Sequence, residues 1–412
     1  MKNSISKAIL LAAPLSLSLT GCLSSTTPTP EPSKDGYYTE GREIDFVEGE
    51  KEEVATYHGT YINGTFPLTQ TGQGYTGEVA DPHIVDGENG YLYIFATNRI
   101  GLRSQDGCNW EIFSTNVINR PTWGDQYVKD HYGDKAATPG VWAPDVMKVK
   151  DKWIYYYSLS GWGSPVGIGY AVADNIEGPY EDKGKLFTCE EVGIENCIDA
   201  ALFREGEDMY IICGSFRGIY LMELTSDGQS LYEDKYIEDK FAYAKENKVL
   251  IAGYAGNWDG STYEGAYLTK KGEYYYLFGS AGTCCEGQNS TYSVFVGRSK
   301  NIEGPYVGKD GKAMTQSIKG NTYGELVLWS GAPGSERNAI APGHNSIYVD
   351  NEGEWWIYYH AYVKADKYKT RHLLLDKINW DEDGFPFIGS VEEGNYKKPS
   401  YDVELEGPAI KE

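Results

Sequence analysis

The sequence predicts an all-β protein folded as a five-bladed β-propeller. Three observations carry this expectation. An aromatic-rich stretch recurs five times, as Tyr91–Phe95, Trp153–Tyr157, Met209–Cys213, Tyr274–Phe278 and Trp355–Tyr359. A polar turn containing Gly or Asp precedes each one, such as Asp86–Gly90 or Lys271–Glu273. The stretches start at 91, 153, 209, 274 and 355, so they lie 62, 56, 65 and 81 residues apart, enough for about four short strands with their turns in each interval. Residues Asn175–Tyr180 and Asn301–Tyr306 share the text Asn-Ile-Glu-Gly-Pro-Tyr. No long segment shows a 3.6-residue apolar period; Leu231–Lys248 comes nearest and is polar. Antiparallel repeats without helices bury their faces against one another as propeller blades.

The elements follow in chain order. Lys2 and Lys7 precede a mostly apolar stretch, Ala8–Leu19, too short to span a bilayer. It ends in Leu19-Thr20-Gly21-Cys22, which looks like a bacterial lipoprotein box. Residues 1–21 are therefore expected to be a signal peptide and Cys22 a lipidated N-terminus. Residues 22–37, rich in Ser, Thr and Pro, read as an extended tether, and residues 38–412 as the propeller. A lipid anchor would be the only membrane attachment, placing a monomeric protein in a bacterial cell envelope.

Composition narrows the partners. The 412 residues carry 60 Asp+Glu against 37 Lys+Arg, a net charge of −23 that argues against nucleic acid as a ligand. The 35 Tyr and 49 Gly suit short strands, tight turns and aromatic-lined sugar sites. Besides Cys22 there are six cysteines, whose pairing sequence cannot decide; the neighbours Cys284 and Cys285 could be bonded or be two thiols near a pocket.

About ten residues before each aromatic stretch stands a polar residue in apolar surroundings: Asp81, Asp145, Asp199, Glu264 and His344. In a propeller the first strand of every blade runs along the axis, so these five should converge at one end of it. Carboxylates gathered in one pocket push each other's pKa values apart, allowing one to act as acid and another as base.

These residues in this order resemble glycoside hydrolase family 43. The fragments Cys284-Cys285, Ser290–Tyr292, Val296–Ser299 and Pro342–Ser346 are similar to its endo-acting α-1,5-L-arabinanases. The resemblance implies that Asp81 is the general base, Glu264 the general acid, and Asp199 the residue that orients Glu264 and tunes its pKa. It also implies inversion, with the working carboxylates about 6.5–9.5 Å apart. Asp145 is given a supporting, substrate-side role. His344 matches a histidine close to a largely water-coordinated calcium ion (Ca2+) in the central cavity. Trp142, Trp162 and Phe216 are candidate sugar platforms, and Asn196 and Ser215 candidate substrate contacts. Ala80, Ala200 and Ala266 stand where the family more often has His, Pro and Pro, which bears on subsites rather than on chemistry. The expected substrate is arabinan or arabino-oligosaccharides. An exo-acting α-L-arabinofuranosidase or β-xylosidase, or a non-catalytic carbohydrate-binding propeller, are the alternatives.

Overall fold

The computed structural model describes residues 37–38, 55–63, 69–70, 77–254, 263–318, 321–330, 338–389 and 404–411. The predicted leader, Cys22 and the tether up to residue 36 lie outside them. Residues 35–412 form one compact unit.

Five antiparallel sheets follow one another along the chain as the blades of a propeller. Their first strands are His83–Asp86, Gly140–Val149, Ala201–Glu205, Glu264–Lys271 and Ala339–Val349. Their second strands are Leu92–Ala96, Lys152–Ser160, Asp208–Cys213, Tyr274–Ala281 and Trp355–Val363, so all five aromatic stretches occupy the same place. A third and a fourth strand complete each blade, and Thr69–Gln70 and Tyr37–Tyr38 add short strands to the first and fourth sheets.

Aromatic residues sit in the second strand because it is covered on both faces: in Trp355–Val363 every residue is buried. Five apolar clusters each straddle two consecutive blades. Examples are Phe95, Tyr155 and Tyr180 between the first and second, and Ile357, Tyr359 and Phe278 between the fourth and fifth. At about 1.5–3 kcal/mol for each large side chain buried, these seams hold the ring together. The fifth seam, between the last blade and the first, contains Trp110, Trp356 and Tyr358. It is overlaid by a two-stranded ribbon of Thr56–Ile62 and Glu404–Lys411, which joins the segment before the first blade to the C-terminal strand there. Asn63 pins the ribbon to the last blade: its amide donates to the carbonyl of Leu375 and accepts from the N–H of Leu375 at 3.1 Å.

The repeated Asn-Ile-Glu-Gly-Pro-Tyr text builds the same turn twice. Tyr180 and Tyr306 each donate a hydroxyl to the carbonyl of the residue four earlier, Ile176 and Ile302, at 2.8 and 2.6 Å, and both Gly–Pro bonds are cis. Helices are short inserts. Lys240–Asn247 lies within the polar segment noted above and starts on Asp239, whose carboxylate accepts from the N–H groups of Phe241 and Ala242. Trp123–Tyr132, between the first and second blades, departs from the helix-free expectation: its few apolar residues, Trp123, Tyr127 and Val128, pack into the seam between those two blades.

Candidate active site

The heads of the five first strands share one backbone device. Asp81, Ala143, Asp199, Gly265 and His344 all have left-handed φ, between 38° and 59°. Four of them are not glycine, so each carries strain of the kind that persists only where surroundings enforce it. The enforcement is visible, because each head N–H donates to a side chain of the preceding blade. Ala143 donates to Thr97 Oγ1 at 2.8 Å, Asp199 to Ser158 Oγ at 2.9 Å and Gly265 to Asp199 Oδ2 at 3.1 Å. His344 donates to Ser280 Oγ at 2.8 Å, and Asp81 to His360 Nδ1 at 3.0 Å, which closes the circle from the fifth blade to the first.

This ring corrects the sequence register in two places. Glu264 stands one residue before its blade's head position. Asp145 stands two residues after its own, beyond a bulge between Trp142 and Asp145. Asp145 therefore does not line the cavity as a substrate-side group. It is buried one pleat deeper, where it accepts from the N–H of Leu202 at 3.1 Å and faces His83 Nδ1 at 3.4 Å.

Asp81, Asp199, Glu264 and His344 together line a cavity of about 1010 Å³ at the axis. Asp81 Oδ2 accepts from Thr97 Oγ1 at 2.5 Å, and Oδ1 lies 3.2 Å from His344 Nδ1, 3.5 Å from His360 Nδ1 and 3.8 Å from Arg371 Nη1. Burial pushes the Asp81 carboxyl up, but His344 and Arg371 outweigh it and hold the group well below the usual carboxylate range. Burial likewise lowers His344, and the charges of Asp81, Asp199 and Glu264 raise it to about 9.

The opposite happens across the cavity. Burial and then the negative charge of Asp199 push Glu264 up to about 8, against hydrogen bonds from Ser215 Oγ (2.7 Å) and Tyr292. Asp199 is raised to about 6, mainly by burial. One carboxylate is thus kept ionised and another kept protonated near neutral pH, a division suited to paired base and acid work.

Ser215 touches Glu264 with the hydroxyl that sequence assigned to substrate. The Asn196 amide donates to the carbonyl of Ser215 at 3.2 Å and holds that loop. Both still line the cavity, as do Phe216, Trp142 and Trp162. Trp162 is 79% exposed and packs on Trp142 at 5.6 Å, whereas Phe216 is buried. Cys284 and Cys285 are bonded to each other, which settles that alternative, and they line the cavity wall with Arg371, whose Nη1 lies 3.6 Å from Cys285 Sγ.

Sequence reasoning missed Thr97, Tyr292, His360 and Arg371 as site residues. The one available signal was position: Thr97 and His360 each directly follow the apolar run of a second strand. Among the described residues no group of three or more His, Cys, Asp or Glu could hold a metal. Calcium prefers oxygen ligands, and His344 is held protonated beside Asp81, so an ion at this axis would be held mainly by water with His344 nearby.

Residues 75–386 match the model of "Glycosyl hydrolases family 43". The extracellular exo-α-(1→5)-L-arabinofuranosidase ArbA of Cellvibrio japonicus is 31% identical over 336 residues, spanning 77% of this chain and 88% of that protein. The extracellular endo-α-(1→5)-L-arabinanase of Thermotoga petrophila is 30% identical over 359 residues, spanning 76% and 72%. The structure of Cellvibrio cellulosa α-L-arabinanase complexed with arabinohexaose superposes with a TM-score of 0.62 at 28% identity, over 78% of this chain and 98% of that one.

Proposed function

We propose, from the premise that this chain belongs to glycosyl hydrolases family 43, that it cleaves internal α-1,5 linkages of arabinan with inversion. That it is a glycosidase follows from membership. The finer reading is supported by one observation above the rest, the extent of the cavity across the axis. Its walls come from Trp142 and Trp162 in the second blade and from Gly282–Glu286 and Arg371 in the fourth and fifth. In a five-bladed ring the second blade faces the gap between the fourth and fifth. Sugar can therefore be held on both sides of the carboxylates, as internal cleavage requires.

In this reading Asp81, held ionised, takes a proton from water as its oxygen attacks the anomeric carbon. The glycosidic C–O bond breaks, and Glu264, held protonated, gives its proton to the departing oxygen. Asp199 works on Glu264 twice, through its charge and through the N–H of Gly265 next to it. Calcium stays part of the proposal as an ion held mainly by water near His344, where it would supply positive charge beside the carboxylates. Treatment with a chelator should then lower activity, and added calcium should restore it.

Similarity to an exo-arabinofuranosidase favours a second reading, release of single terminal sugars. Product sizing on debranched linear arabinan separates the two. Mixed short oligosaccharides support internal cleavage, arabinose alone supports the exo reading, and no product leaves a binding protein. Proton NMR of the first product, with the opposite anomer expected, tests inversion.

A further inference from the structure

Four of the five acceptors in the head ring are oxygens: the hydroxyls of Thr97, Ser158 and Ser280 and the carboxylate of Asp199. The fifth is an imidazole nitrogen, and it serves Asp81. The chemistry of the acceptor differs in a way that matters there. A hydroxyl that accepts an N–H still has a hydrogen to place, and Thr97 places its own on Asp81 Oδ2. A second hydroxyl at the position of His360 would aim its hydrogen at Oδ1, the oxygen 3.5 Å away. An imidazole that accepts through Nδ1 carries its proton on Nε2 and has none to give at that place.

His360 is itself held. It is fully buried, and burial keeps it neutral. Its ring stacks on Tyr292 with centroids 5.8 Å apart and planes 15° apart. Tyr292, also buried, hydrogen-bonds Glu264 through its hydroxyl. The close packing of Tyr292 against the fifth blade depends on Gly343, since a Cβ there would lie 2.0 Å from the ring. One stacked pair therefore touches the backbone of Asp81 at one end and the carboxyl of Glu264 at the other.

We propose that His360 is a positioning residue that holds Asp81 in its left-handed conformation without adding a donor to Oδ1, which already accepts from His344, and that its stack on Tyr292 ties this base to Glu264. The inference rests on the reading of Asp81 as base and Glu264 as acid.

The test compares linear arabino-oligosaccharide with 4-nitrophenyl α-1,5-L-arabinotrioside, whose leaving group departs without a proton. His360→Leu fills the space but accepts nothing. Its kcat should fall about 10²-fold on both substrates with KM nearly unchanged. His360→Asn puts an oxygen near the place of Nδ1 and should recover about tenfold of that loss. His360→Gln puts its oxygen too far out and should not. Tyr292→Phe keeps the stack but loses the hydroxyl, so turnover should fall on the oligosaccharide and hold on the aryl substrate. If His360→Leu does not fold, the Asn and Gln variants decide. Equal kcat in those two, or a loss in KM alone, overturns the positioning role. Equal losses on both substrates for Tyr292→Phe overturn the tie to Glu264. Asp81→Asn is the control: turnover retained there would sink the reading of the site itself, whereas an inactive Asp81→Asn beside an unimpaired His360→Leu sinks only this inference.

Discussion

Two layers of side chains cross the propeller axis two residues apart on the same first strands. The upper layer, around Asp81, Asp199, Glu264 and His344, lines the cavity. The layer below it contains His83, Asp145 and Ser346, all buried. Both contain histidine and aspartate, yet their chemistry differs. In the lower layer Ser346 accepts from the N–H of Ile84 and donates to the carbonyl of Pro82, and His83 lies 3.1 Å from the carbonyl of Val146 while facing Asp145. In the upper layer like charges are crowded together and left facing open space. Residue type is therefore a poor guide to role on this axis. A polar residue enclosed by partners holds blades together, and the same residue one pleat higher becomes reactive.

The sharpest way to break that contrast is to disarm each layer in turn. Glu264→Gln should lower kcat on arabinan by about 10²–10⁴-fold with little change in thermal midpoint. Retained turnover would remove the acid from the scheme. Asp145→Ala should do the reverse. Losing the acceptor for the N–H of Leu202 and the partner of His83 should lower stability by about 1–3 kcal/mol in urea unfolding, with kcat of the folded fraction kept. A collapse of kcat without loss of stability would place Asp145 back among the reactive groups.

The pH profile sharpens the comparison further. Glu264 must be protonated to donate, and its pKa is raised to about 8, so activity should hold below that pH and fall about tenfold per unit above it. A fall centred near the ordinary glutamate value would contradict the crowding argument. The smallest effect is expected at the rim. Trp162→Ala should raise KM for polymer by a few-fold and leave kcat alone, because one exposed ring adds about 1 kcal/mol of contact. An unchanged KM would show that sugar does not rest there.

Legibility followed the range of the interactions involved. Each aromatic stretch announced a second strand because burial on both faces demands apolar residues over five or more consecutive positions. Asp81, Asp199 and His344 were found at the heads because each stands in a short apolar context before such a strand. The resemblance carried by Pro342–Ser346 and the double cysteine named the family, and the match over residues 75–386 bears it out. Asp145 was misplaced because a bulge of a few residues moves a side chain by one pleat without leaving a mark in composition.

What the sequence determined by itself was the number of blades, the order of their strands and the family, since these rest on patterns local to each repeat. Tertiary structure alone decided which polar residues share the cavity, that Thr97 and His360 each hold up the head of a neighbouring blade's first strand or close the circle to it, and that Tyr292 bridges to Glu264. Those relations join residues up to 279 positions apart, as in the bond from Asp81 to His360, and depend on the ring closing. Only closure brings carboxylates near enough for burial and mutual charge to set one ionised and another protonated.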